Sequence, residues 1–131
     1  MKFPYFTLAK NLKRPIIPLV VKANGKEVKY FGLVDSGADL NLFHGEVAEL
    51  LDIDIQSGKA GQISGITSGE SQQFFVHSVV LNIGGWDFKS EVGFMPKLSR
   101  NGHGLLGQIG FFNLFKKVSF SKNKHEIELT N

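Results

Sequence analysis

Phe31–Phe43, FGLVDSGADLNLF, runs from apolar residues into Asp35-Ser36-Gly37-Ala38-Asp39 and back to apolar ones. A carboxylate set between Leu33-Val34 and Leu40, Leu42 and Phe43 is costly to desolvate unless it is hydrogen-bonded, paired or free to hold a proton. Two readings follow. Asp-Ser-Gly is good turn chemistry, because the Asp side chain caps its own backbone and Gly37 is expected to supply a positive φ. It is also a place for a reactive carboxylate. A tetrapeptide of this kind arises by chance in about one chain of this length in a hundred, so the motif alone decides nothing.

The flanking pattern narrows the choice. Ile16 to Lys22 and Glu27 to Val34 read as strands joined by Ala23-Asn24-Gly25-Lys26, and Asn-Gly is a strong hairpin signal. Asp35 therefore follows a strand. Downstream, Gly45 to Leu51 places Val47, Leu50 and Leu51 at helical spacing, which predicts a short helix. Gly58 to Gly69, GKAGQISGITSG, suits a hairpin tip more than a packed element. Phe74 to Ile83 and Trp86 to Phe94 form a second hairpin about Gly84-Gly85, and Pro96 to Gly104 reads as loop. Leu105-Leu106-Gly107 leads into a predicted helix from Ile109 to Phe115. Val118 to Ser121 and Glu126 to Leu129 close the chain as a last hairpin. Short strands dominate, so the expectation is an all-β fold with one or two short helices, a single domain over residues 1–131.

Composition sets the outer limits. A chain of 131 residues is long enough to remove roughly two-thirds of its surface from water as one domain. It has no cysteine, which excludes disulfides and thiolate metal sites and leaves the compartment open. The only apolar run near the start is Pro15 to Val21, broken by Pro18, so neither a signal peptide nor a span is read there and a cytoplasmic protein is expected. Lys2, Lys10, Lys13, Arg14, Lys22 and Lys26 precede any acid, and the formal net charge is +3. Scattered cations without interleaved aromatic residues read as a solvated face and not as a nucleic-acid site, which would bind with a steep salt dependence.

Amide hydrolysis by carboxylates needs two of them, about 3 Å apart and sharing one proton. One activates water while the other acts as acid. The remaining aspartates precede Leu40, Ile53, Ile55 and Phe88, so no second Asp-Ser-Gly exists in the chain. A twofold homodimer supplies one, because a loop on the axis meets its own copy.

With these features the sequence resembles the retropepsin-like aspartic proteases, the single-lobed homodimeric relatives of pepsin that include the retroviral enzymes. The likeness covers roughly residues 14 to 129, from Arg14-Pro15 through Asp35-Ser36-Gly37-Ala38-Asp39 and the Gly-rich Ile63-Ser64-Gly65-Ile66 to Leu105-Leu106-Gly107. Small stand-alone bacterial members share the VDSGAD stretch and a stretch like GLLGQIGFF. The resemblance implies a closed acid-protease β fold and an aspartic endopeptidase. Asp35 matches the catalytic aspartate, Ser36 the hydroxyl that bonds across the axis, and Gly37 the residue that lets backbone approach substrate. Asp39 matches the residue that binds substrate backbone and pairs with arginine. Ile63, Ser64, Gly65 and Ile66 match the flap, with Ile66 at its tip, and Leu33, Ala38 and Leu105 match pocket-lining positions. Gln108 departs from the pattern, since retroviral enzymes usually carry arginine there. Arg14 matches a second arginine that reaches across the dimer, and is the expected partner of Asp39. About a dozen extra N-terminal residues also exceed the viral pattern.

The partners implied are a second copy and a peptide or protein substrate, with no nucleic acid, membrane or cofactor. The rival from the same fold is a catalytically idle module for dimerisation or peptide binding. His44, His77, His103 and His125 lack metal-ligand spacing, so no metal is expected. Glu46 and Glu49 read as a solvated helix face. Ser36 lacks the G-x-S-x-G surroundings of a nucleophile. Trp86 and the group Phe111, Phe112 and Phe115 are expected in the core, where large aromatic area is best buried.

Overall fold

The computed structural model describes residues 1–64, 71–98 and 102–131. Its N-terminal segment departs from the sequence reading, which assigned no strand before residue 14. Three short strands lie there: β1 (Lys2–Pro4), β2 (Phe6–Ala9) and β3 (Leu12–Arg14). β2 and β3 pair only with each other among the described residues, with a register shift between Thr7 and Ala9. Nothing in this stretch alternates cleanly, and its pairing is short and irregular, so local pattern could not announce it.

The hairpin around Asn24-Gly25 forms as expected. Both residues adopt positive φ, 53° and 72°, which matches a two-residue turn to the right-handed twist of its strands. It joins β4 (Ile16–Ala23) to β5 (Lys26–Val34). Along β4 the core takes Ile17, Leu19 and Val21, every second residue, as a strand with one buried face requires. After β5 and a loop come β6 (Leu42–His44) and the expected short helix, α1 (Gly45–Leu50). Val47 and Ala48 of α1 and the following Leu51 are buried, whereas Leu50 and the two glutamates face solvent.

Part of the stretch read as a hairpin tip is strand: β7 (Lys59–Ser64) pairs with β8 (Ser71–Ile83) from Lys59↔Val76 to Ser64↔Ser71. Gly65 and Ile66 lie outside the described residues. β8 turns through Gly84-Gly85 into β9 (Trp86–Met95). Trp86 is not core. It occupies the last rung beside the turn and is 67% exposed, while the buried places on its strand go to Ser90, Val92, Gly93, Phe94 and Met95. β10 (Gly104–Leu106) follows, then β11 (Lys117–Ser121) and β12 (Glu126–Thr130).

The helix predicted for Ile109 to Phe115 is a single 3-10 turn, Phe112–Leu114. Gly110 stands at φ 104°, outside the helical region, and breaks the repeat before it can begin. The aromatic group nonetheless packs: Phe111 meets the rings of Phe112 and Phe115 at centroid separations of 5.6 and 5.4 Å, and Phe111 and Phe115 are buried.

The large sheet has the order β4-β5-β10-β6-β9-β8-β7, and β4 also pairs with β8 through Val20↔Asn82, Val21↔Leu81 and Lys22↔Val80. That second pairing closes the sheet into a barrel. Its interior holds Ile17, Phe43, Leu81, Val92, Phe94, Leu106 and Phe111. β1, β12 and β11 make a separate small sheet within the same chain, β1 lying against β12. The expected all-β closed fold with short helical pieces is therefore the fold observed.

Candidate active site

The crossing that positions Asp35 is β10. It runs parallel to β5 and antiparallel to β6, so it lies between two strands that are consecutive in the chain. Residues 35–41 must then arch over the end of β10 to connect them. Leu33 pairs with Leu105, and Leu105 with Leu42. Side chains alternate across a strand, so Val34 and Leu106 enter the core while Leu33 and Leu105 stay half-exposed on the side to which Asp35 belongs.

Both readings of the Asp-Ser-Gly turn prove compatible. The amide of Ala38 donates to the Asp35 carbonyl at 3.1 Å, and the amide of Gly37 donates to Asp35 Oδ1 at 2.9 Å. One carboxylate oxygen is thus held by the turn, which closes without the positive φ expected of Gly37. The Asp35 amide donates to Leu106 O at 3.0 Å and ties the loop to β10. Asp35 is half-buried, and Ser36 and Gly37 are exposed beside it.

The far side of the loop is fastened by the chain leaving β10. Gln108 N donates to Ala38 O and Ile109 N to Asp39 O, each at 2.9 Å. Such contact requires the backbone at Gly107, where a Cβ would stand 2.5 Å from Leu40 O and 2.7 Å from Ala38 O. Gln108 Nε2 donates to Ser36 O at 2.8 Å. The residue that departs from the arginine pattern thus braces the loop within its own chain.

Asn41 is the residue that sequence reasoning missed. Its side chain is fully buried. Oδ1 accepts from Gly107 N at 3.0 Å, and Nδ2 donates to Ser90 Oγ at 3.2 Å and Glu91 O at 3.1 Å. Ser90 Oγ passes the connection on to Gly110 O at 2.6 Å. One amide therefore fastens the loop, β9 and the segment after β10 together. Its signal was available: a lone polar residue inside the apolar run Leu40 to Phe43 must find partners if it is buried.

Other predicted residues fall nearby or apart. Ala38 is half-buried in the loop, and Asp39 is exposed and makes no ion pair among the described residues. Ile63 is half-buried near the end of β7, and Ser64 ends that strand. Arg14 is exposed and its guanidinium donates to Lys13 O at 3.2 Å, so within one chain it does not pair with Asp39. Farther along β5, the Tyr30 hydroxyl bonds His44 Nδ1 and accepts from His44 N at 3.2 Å, linking β5 to β6. Burial is the main reason that the Tyr30 phenol titrates well above its usual range. Among the described residues no group of three or more His, Asp or Glu side chains gathers as a metal site.

A family model described as aspartyl protease matches residues 19–108, which include the whole arch over β10. The chain belongs to the aspartyl protease family. A retropepsin-like aspartic protease from Rickettsia conorii superposes with a TM-score of 0.64 at 17% identity, covering 97% of each chain. That likeness identifies the barrel of this aspartyl protease family member as retropepsin-like. EIAV protease complexed with the inhibitor HBY-793 superposes at a TM-score of 0.48 and 20% identity, over 77% of this chain and 88% of that one. No curated protein matches the sequence.

Proposed function

We propose that the protein is a homodimeric aspartic endopeptidase in which two Asp35 carboxylates, one per subunit, activate a water against a peptide bond. The observation that carries this is the Asp35 loop. Its backbone is fastened from three sides, while the Asp35 carboxylate and its Ser36-Gly37 neighbours stay open to solvent with one Asp-Ser-Gly per chain. A rigidly held, accessible carboxylate that lacks its partner is half of a dyad.

In the dimer one Asp35 takes a proton from water as the water oxygen bonds to the amide carbon. The other, protonated, donates to the carbonyl oxygen. The tetrahedral intermediate then collapses with proton transfer to the leaving nitrogen. Ser36 would bond across the axis, Gly37 and Asp39 would meet substrate backbone, and Leu33, Ala38 and Leu105 would line the adjoining pockets. Ile63, Ser64, Gly65 and Ile66 would cover the bound peptide as the family resemblance implies, with the Ile66 amide over the bridging water. Arg14 would reach Asp39 of the second copy.

A peptide library treated with wild type and with Asp35→Asn tests the assignment. Cleavage by wild type that falls below about a tenth in the variant is expected, because asparagine keeps the loop's shape and cannot carry the shared proton. The rate should also fall as the medium turns alkaline, since a doubly ionised dyad has no proton to donate. One observation favours the second reading, an idle dimerisation or peptide-binding module: Gln108 braces the Ser36 carbonyl in cis, so the loop is held without a partner. Peptide binding without Asp35-dependent cleavage would select that module.

A further inference from the structure

The cations that are scattered along the sequence are gathered by the fold. Residues 1–26 and 92–125 contain no aspartate or glutamate. β1 lies against β12, and the Tyr5 amide donates to His125 O at 2.7 Å, so the turn after β11 comes to rest beside the turn between β2 and β3. Between them opens a cavity of about 330 Å³ lined by Asn11, Lys13, Arg14, Lys122 and His125, with no carboxylate among these residues. Backbone sets two of them. Asn11 and His125 stand in left-handed conformation at φ 63° and 49°, and the His125 ring meets the edge of Tyr5 at a centroid separation of 5.9 Å. Lys124 N donates to Ser121 Oγ at 3.4 Å and closes the same turn. The charges are left uncompensated. Among the described residues the ion pairs engage Lys2, Lys22 and Lys26 but not Lys13, Arg14 or Lys122, and Glu126, next to His125, goes to Lys2 at 4.0 Å. Like charges gathered at one pocket repel one another and destabilise the compact state, a cost that a bound anion offsets.

We propose that this pocket binds a small multivalent anion of the phosphate class, one that carries at least two negative charges. The donor set chooses the class. The Arg14 guanidinium is a planar fork that matches phosphate oxygens, and it spends one donor on Lys13 O at 3.2 Å. The ammonium groups of Lys13 and Lys122 are point charges on flexible stems that can close around an oxyanion, and the Asn11 amide adds a neutral donor. A single carboxylate would leave most of this charge unanswered. The cations line one pocket instead of tracking a groove, which suits a compact anion better than the length of a nucleic acid. One carboxylate of a second copy, placed against Arg14 above, would neutralise only one of these charges. The inference therefore goes beyond the endopeptidase reading and does not rest on it.

Calorimetric titration of tripolyphosphate into the full chain at physiological ionic strength tests the site. Saturable binding is expected, and Lys13→Gln and Lys122→Gln, each at an exposed side chain, should each weaken it at least about fivefold, the scale of one charge-assisted contact. Lys89→Gln removes the same charge from an exposed position on β9 and should change the affinity by less than about twofold, since charges apart from the pocket are screened. Amide resonances of residues 10–14 and 121–125 should move during the titration ahead of the rest. Absence of binding, an equal loss in all three variants, or shifts centred elsewhere overturns the site and leaves bulk charge attraction only. A single-stranded oligonucleotide that binds more tightly than tripolyphosphate, with the same dependence on Lys13 and Lys122, would give the pocket to a nucleic-acid backbone and overturn the small-anion assignment.

Discussion

The arch over β10 and the N-terminal hairpin β2–β3 lie close in the chain's wiring, since Pro15 O, just after β3, accepts from Val34 N, just before Asp35. They are built on opposite terms. In the arch, Asp35, Ala38, Asp39 and Asn41 all engage backbone partners, and a buried amide joins three segments. In the hairpin, all four residues of β2 are exposed, Phe6 and Leu8 at 43% and 45%, and the Phe6 ring meets the half-open ring of Phe31 at 5.5 Å. The difference teaches where this fold invests its constraint: the Asp35 loop is settled inside one chain, whereas an isolated two-stranded ribbon is marginal without further cover. On the proposed dimer, the hairpin carries Arg14 and so belongs to the part of the molecule that a second copy completes.

That contrast can be broken at its strongest point. Asn41→Leu should cost about 3 to 5 kcal/mol, because it strands the buried Gly107 amide and removes a bond from the part-buried Glu91 carbonyl and another from the buried Ser90. Urea unfolding measures this, and a loss under about 1 kcal/mol would mean that the arch does not depend on the amide. Arg14→Ala should leave the monomer's stability nearly unchanged and weaken dimerisation about thirtyfold or more, the effect of losing roughly 2 kcal/mol or more from a desolvated charge pair. Sedimentation over a dilution series reads it, and an unchanged dimer constant would assign the subunit contact to something else.

Tyr30→Phe should cost about 1 kcal/mol at neutral pH through the lost bond to His44. Its pH signature is more specific. The folded Tyr30 holds its proton more tightly than the unfolded chain does. Its linked stability is therefore complete below about pH 10, the ordinary tyrosine value, and is lost as pH rises from there towards the higher folded value. The variant should lack that alkaline component, as thermal melts between pH 8 and pH 11 would reveal. Phe6→Ser, on the open hairpin, should change monomer stability by less than about 0.5 kcal/mol. A larger loss would show that the ribbon is packed more firmly than its exposure implies.

Much of this protein is legible in its sequence. Asn24-Gly25 and Gly84-Gly85 announce their turns, the alternation Ile17, Leu19, Val21 announces a half-buried strand, and Asp35-Ser36-Gly37 announces a loop with an accessible carboxylate. Each is a local signal, written within a few residues by backbone sterics and side-chain period. The misreadings were of another kind. Ile109 to Phe115 has an apolar spacing that suits a helix, but Gly110 is drawn out of helical conformation where Ser90 Oγ bonds its carbonyl and Asn113 its amide. Trp86 carries core-forming area, but its rung lies at the end of the hairpin. Asn41 is one polar residue among apolar neighbours until Gly107 and Ser90, 66 and 49 positions away, arrive beside it. What the sequence determined by itself was therefore the strands, their turns and the place of the loop that carries the Asp35 carboxylate. Only the tertiary structure decided that β10 slips between β5 and β6, because pairing between segments so distant carries no local pattern and is chosen by what the whole barrel can bury and bond.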